Sequence, residues 1–146
     1  FGERLVERTY LALAWGHLDA LRGLIDAPVG RSAIRRTRMA VRSDGREART
    51  EYEQVRRFTN PAATLLRCRL ETGRTHQVRV HLSAIGHPIV GDASYGGSRG
   101  AVLPDRVFLH ATGLRLAHPI SGHPLAFEDP LPAELEAVLA TFGRAS

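Results

Sequence analysis

Leu66-Arg67-Cys68-Arg69-Leu70-Glu71-Thr72-Gly73-Arg74-Thr75-His76-Gln77-Val78-Arg79-Val80-His81-Leu82 changes its hydrophobic period partway along, and that change sets the fold class. Up to Glu71, apolar Leu66, Cys68 and Leu70 alternate with charged Arg67, Arg69 and Glu71, the pattern of a strand with one wet face. From Thr75 to Ile85 the spacing turns helical. Val78, Leu82 and Ile85 make one apolar stripe at i, i+4 and i+7, and Gly86 stands where a left-handed cap ends a helix. The other side of this helix carries His76, Arg79 and Ser83.

Outward from this strand and helix, Arg49 to Phe58 pairs with Ala63 to Glu71 as a hairpin across Asn60-Pro61. Tyr10-Leu11-Ala12-Leu13-Ala14-Trp15 ends at Gly16 and is apolar on both faces, which predicts a buried strand; Phe1 to Val6 reads as the frayed end of a preceding helix. Ala27 to Asp44, with Pro28 and Gly30, reads as an arm of short strands, and Ser43-Asp44-Gly45 as a turn. A glycine-rich loop from Gly91 to Gly100 follows the helix, then a strand from Val107 to Leu116 and a short helix from Pro132 to Phe142. Strands outnumber helices and are joined partly by hairpins. The class is therefore α+β, with a mixed, mainly antiparallel sheet flanked by short helices.

At 146 residues, 43% apolar and 24% charged, the chain suits one globular domain or the larger part of one. No run approaches the roughly 18 apolar residues of a membrane span, and the first residues lack a secretory signal, so a cytoplasmic protein without a membrane partner is expected. The single cysteine, Cys68, can form neither an internal disulfide nor a cysteine-rich zinc site and reads as a buried thiol. His76 and His81 are half a turn out of phase, unlike the i, i+4 pair of a zinc helix, so no metal is expected. His110, His118 and His123 read as structural, and the glycines at 96, 97 and 100 lack the lysine of a phosphate loop.

The formal charge is +5, and all twenty basic residues are arginine. A GC-rich genome would account for the missing lysine, but distribution is a sharper test. Residues 31 to 57 hold nine arginines against four acids, a surplus equal to that of the whole chain, while Glu128, Asp129, Glu134 and Glu136 gather near the other end. Such asymmetry suits an anionic partner such as RNA, with Arg35, Arg36 and Arg38 as contacts to its backbone.

The stretch from Leu70 to Leu82, followed by Gly86-His87-Pro88-Ile89-Val90-Gly91-Asp92 and Tyr95-Gly96, resembles the most characteristic motif of the RluA/RluD-type RNA pseudouridine synthases. Arg8-Thr9-Tyr10-Leu11-Ala12 is similar to the family's tyrosine motif and Phe108-Leu109-His110-Ala111 to its late leucine motif. His118-Pro119 through Gly122, Pro124 and Phe127 to Leu131-Pro132 is similar to its closing segment. The resemblance covers nearly the whole chain. It implies a pseudouridine synthase-like catalytic fold of which residues 1–146 are the carboxy-terminal part, an RNA substrate, and no cofactor. By analogy ribosomal RNA is favoured over transfer RNA.

By position, Tyr10 would be the active-site tyrosine, stacking on the flipped base and handling a proton. Arg79 would be the arginine that pairs with a catalytic aspartate, and Leu109 an apolar wall for the base. Arg74, Thr75, His76 and Gln77 open the helix, where amides and side-chain donors suit a phosphate or a nucleotide edge, although Thr75 serves equally well as a plain helix cap. One departure is plain. The family's His-Arg-Leu-Asp motif does not occur here, and the six aspartates, Asp19, Asp26, Asp44, Asp92, Asp105 and Asp129, stand in other contexts. The resemblance places that motif upstream of Phe1, in an amino-terminal half that would partner this one. The alternative is a basic RNA-binding module without chemistry; a metal-dependent hydrolase using the histidines is a third class.

Overall fold

The computed structural model describes residues 6–35, 37–74, 76–99, 106–117 and 120–144. The expected helix end at Phe1 to Leu5, and Arg36, Thr75, Gly100, Asp105, His118 and Pro119, lie outside the described residues. Val6 itself is strand, opening β1 (Val6–Trp15). The other strands are β2 (Arg22–Asp26), β3 (Val29–Arg31), β4 (Met39–Val41), β5 (Arg49–Thr59), β6 (Ala63–Leu70), β7 (Leu109–Ala117), β8 (Pro124–Glu128) and β9 (Gly143–Arg144). Two eight-residue helices, α1 (Gln77–Ala84) and α2 (Ala133–Ala140), and a short 3-10 turn at Ala93–Tyr95 complete the regular structure among the described residues.

Seven strands form one sheet in the order β2-β5-β6-β1-β7-β8, with β9 also on β5, and each described pairing is antiparallel. Centrality follows from sequence: β1 is apolar on both faces, and Ala12, Leu13, Ala14 and Trp15 are all buried. The β5–β6 hairpin turns at Asn60-Pro61 as expected, whereas β2 and β8 carry too little apolar periodicity to be read as strands from sequence.

Register assigns the two faces of the sheet. Tyr10 stands opposite Cys68, and Cys68 opposite Tyr52; Arg8 stands opposite Leu70, and Leu70 opposite Thr50. Partners across a sheet share a face, so Arg8, Tyr10, Ala12, Cys68, Leu70, Thr50 and Tyr52 lie on one side. α1 covers that side, since its His81 and Gln77 both bond to the Thr50 hydroxyl. Trp15 and Phe58 belong to the other side, where Phe142, just past α2, packs with ring centroids 6.1 and 5.8 Å away. Leu135, Val138 and Leu139 of α2 are buried there. Each such side chain removed from water contributes roughly 1.5–3 kcal/mol.

Beyond α2 this second face is wet. Glu53 accepts bonds from Arg67 and Arg69 at 3.0 and 3.2 Å, and Glu7 meets Arg115 at 3.6 Å. The expected alternation of Arg67 and Arg69 against Leu66, Cys68 and Leu70 is thus realised.

The helix differs from its expected stripe. Val78 and Leu82 are buried, but Ile85 is 39% exposed, while Gln77, Val80 and His81 are buried as well. α1 is enclosed on more sides than one because the arm folds over it. Val80 packs with Val29, Ala48 and Tyr95 in a second small core, with Met39 of β4 against them. Gly86 takes φ +88° and closes the helix in the left-handed region, as the sequence suggests.

Candidate active site

The amino-terminal end of α1 is built from a closed set of polar contacts. Gln77 is 2% exposed. Its amide nitrogen donates to the Arg49 carbonyl at 2.9 Å and to the Thr50 hydroxyl at 3.0 Å, and its oxygen accepts from the Thr72 hydroxyl at 2.8 Å and the Arg74 amide at 3.2 Å. Every polar atom of that side chain is occupied. These bonds pin the β6–α1 loop to β5.

The same chain of bonds continues inward. His81 Nε2 donates to the Ala27 carbonyl at 2.8 Å, which leaves Nδ1 to accept from the Thr50 hydroxyl at 2.8 Å. Burial holds this imidazole below its ordinary value and keeps it neutral, against the opposing pull of the Ala27 carbonyl and Asp26.

Arg79 lies on the adjoining face of α1. Its Nε and Nη2 donate to the two carboxylate oxygens of Asp92, both at 2.9 Å, and Asp92 is fully buried. This bidentate fork is the geometry that suits arginine and not lysine. The guanidinium also sits 5.0 Å from the centre of the Tyr95 ring. The carboxylate that Arg79 meets among the described residues is Asp92.

Tyr95 gathers the neighbouring groups. Its hydroxyl accepts the Met39 amide at 3.0 Å and meets His76 Nδ1 at 2.8 Å, its carbonyl accepts the Ser83 hydroxyl at 2.8 Å, and Arg38 lies 5.9 Å from the ring centre. His76 is half-buried in the left-handed region at φ 57°, with its imidazole held below the ordinary value by desolvation and by Arg79. Asp92 and Tyr95 fall within the sequence motif, yet their residue types and spacing gave neither a role. An aspartate one helix turn and a loop after an arginine was the signal available.

Tyr10 and Leu109 form the second part of the site. Tyr10 is opposite Ala111 and Ala12 opposite Leu109, with a bulge in the β1–β7 pairing at Thr9/Tyr10, so Tyr10 and Leu109 share the face that carries α1. Both are half-buried at the edge of the core. A hollow of about 580 Å³ lies on the opposite face, walled by Thr9, Leu11, Arg67 and Arg69, and involves neither side chain.

Arg74 donates Nε to the Glu47 carbonyl at 2.9 Å, which fixes its stem at the loop before α1. Arg35 is exposed on the arm and Arg38 half-buried against Tyr95, so the arm brings one of them to α1 and leaves the other in solvent. Cys68 is buried, and desolvation pushes its thiol up to about 12. Among the described residues no group of three or more His, Cys, Asp or Glu side chains could hold a metal ion, and no helix is long and apolar enough to cross a membrane.

An antiparallel sheet between two short helices, with a tyrosine and a leucine on the face that a polar-anchored helix covers, defines an α+β fold. The profile of the RNA pseudouridylate synthase family matches residues 1–84, more than half of the sequence, and the chain belongs to that family. "Ribosomal large subunit pseudouridine synthase D" of Nitrosomonas europaea is 50% identical over 144 residues, covering 94% of this chain and 41% of that protein. The protein of the same name from Zymomonas mobilis is 43% identical over 145 residues, covering 93% of this chain and 45% of its own. Among solved structures, human RNA pseudouridylate synthase domain containing 1 superposes with a TM-score of 0.75 at 29% identity, over 97% of this chain and 60% of that one. The chain spans less than half the length of these two curated relatives.

Proposed function

We propose that the protein containing this chain isomerises uridine to pseudouridine within RNA, with ribosomal RNA favoured over transfer RNA. Two relatives named as ribosomal large subunit enzymes, 50% and 43% identical, support that preference. In this reaction the bond from N1 to C1′ breaks, the base turns over, C5 bonds to C1′, and the proton on C5 is lost to solvent as N1 gains one. Atoms and electrons balance without a donor or a redox partner. A carboxylate can assist by attacking the sugar or stabilising its cationic character, as in retaining glycosidases.

The observation that carries this reading is the placement of Tyr10, half-buried beside Leu109 on the face that α1 covers, in a chain of this family. Tyr10 would stack on the extruded base and receive or relay the proton, and Leu109 would pack on the base's other side. Arg79 would act through its pair with Asp92, holding α1 and the loop in register, and its remaining Nη1 is the edge open to a further carboxylate. His76 and Arg74 would meet the strand at the helix start, with Arg35 and Arg38 on the phosphates.

The nucleophile is proposed to come from the amino-terminal part of the protein. The aspartates here support this: Asp92 is buried against Arg79, Asp44 is forked by Arg42 on the arm at 2.8 Å, and Asp129 lies on the edge by His110. A cytoplasmic site of action belongs to the same proposal. The test is a pseudouridine assay by chemical mapping on ribosomal RNA, with the full-length protein and with residues 1–146 alone. Conversion is expected only from the full-length protein. Conversion by residues 1–146 alone would place the nucleophile among their own aspartates, and RNA binding without conversion by the full-length protein would favour a binding module.

A further inference from the structure

Arg8 lies two residues from Tyr10 along β1, about 7 Å away on the same face. Its stem is flanked in register by Leu70 and Leu114, and it is half-buried. Its guanidinium lies against the loop before α1: a Cβ added to Gly73 would stand 3.2 Å from Arg8 Nη1. Glycine at 73 lets the charged group rest on the backbone, beside Arg74.

Among the described residues no carboxylate faces this arginine. Glu7, Glu51 and Glu53 fall on the opposite side of the sheet by the same register, where Glu7 meets Arg115, and Glu53 meets Arg67 and Arg69. The one buried acid near α1, Asp92, is occupied by Arg79. Among the described residues the Arg8 side chain makes no hydrogen bond or ion pair. Leucine packing accounts for the stem, but an arginine held beside a tyrosine on a face with no counter-charge among the described residues is an anion site by its chemistry.

We infer that Arg8 is a further substrate-binding residue, taking a phosphate of the RNA strand beside the nucleotide that Tyr10 stacks on. The inference rests on the pseudouridine synthase reading for the identity of the strand. A phosphate matches the fork bidentately, and its neighbour Arg74 leaves Nη1 and Nη2 outside the bond from Nε to Glu47.

The experiment uses the full-length protein with Arg8→Gln and Arg8→Lys. Binding of a fluorescent single-stranded oligouridylate is measured across a salt series, alongside steady-state conversion of a ribosomal RNA fragment. Arg8→Gln is expected to flatten the log–log salt slope by about 0.7, weaken low-salt binding about tenfold, and act more on KM than on kcat. Arg8→Lys is expected to restore the slope, because the released counterion follows the charge. An unchanged slope in Arg8→Gln overturns the assignment. So does a flattened slope that lysine fails to restore, or a loss confined to kcat, which would mark a carboxylate partner. If no RNA is converted yet the slope responds to Arg8, the enzyme reading fails and the phosphate site stands; conversion with an unresponsive slope gives the reverse.

Discussion

Helix α1 and strand β1 carry the two parts of the site, and they differ in how far their charged and polar groups are already paired. On α1, Gln77, His81 and Arg79 each end on partners within the chain, through Thr50, Ala27 and Asp92. On β1, Tyr10 stands half-buried beside Leu109, and Arg8 has no counter-ion among the described residues. A buried polar group whose bonds are complete is a support, because breaking one leaves an unsatisfied partner at a cost of about 1–3 kcal/mol. An arginine or a tyrosine left open at the surface of a core has capacity for something else. Under the proposed function, α1 would be the frame and β1 would face the substrate.

The largest effect expected from this contrast is at Tyr10. In the full-length protein Tyr10→Phe should lower turnover by about 100-fold or more while RNA affinity is kept, because the ring still stacks. Tyr10→Ala should lose both. Parental turnover in the phenylalanine variant would remove the proton-handling role and leave β1 as a stacking surface only.

On the frame side, Asp92→Ala should lower stability by about 3 kcal/mol, since it strands the Arg79 charge in a partly buried site. The urea midpoint reads this directly. If Arg79→Ala instead cuts turnover at an unchanged midpoint, Arg79 belongs with the substrate-facing groups and the contrast between helix and strand breaks.

A smaller effect follows from pH. The His81 and His76 imidazoles are held below 6.5 in the fold, His81 by burial and His76 by burial and Arg79. The unfolded chain therefore takes up these protons first as pH falls. Stability from this source is complete above about pH 6.5 and declines below it. The urea midpoint should drop between about pH 7.5 and pH 5.5, and His81→Gln should reduce the drop. A midpoint that holds constant over this range would mean both imidazoles titrate in the native state as they do in the unfolded chain.

Smallest of all should be the arm. Replacing Arg35 and Arg38 is expected to weaken cognate and non-cognate RNA alike, flattening the salt slope by roughly 0.7–0.9 for each phosphate no longer neutralised. Arg38 should contribute less than Arg35, because its guanidinium already lies over Tyr95. Equal effects from the two would mean that the stack on Tyr95 opens when RNA binds.

Local patterning determined a large part of this protein. The alternation at Leu66, Cys68 and Leu70, the apolar run from Tyr10 to Trp15, the turn at Asn60-Pro61 and the cap at Gly86 are each set by residues near in sequence, and each is realised. Short-range sterics and hydrophobic period suffice for those elements. The motif resemblance likewise brought out Tyr10, Leu109 and Arg79 as a group, while the roles given to them stand as proposals.

What only the tertiary structure decided are the pairings between distant segments. Nothing in the local pattern of Gln77 says that Arg49 and Thr50 will occupy it from β5, nor in Arg79 that Asp92 will take its fork. The enclosure of α1 on more sides than one follows from the arm docking through Met39 and Tyr95, a hydrogen bond across 56 residues. β2 and β8 are strands because the edges of a sheet recruit them, not because their sequences alternate. Face assignment is of the same kind: a strand's period of two fixes which residues go together, but which side receives the helix, and so whether Arg8 sits with Tyr10 away from the glutamates, depends on register across β5, β6, β1 and β7.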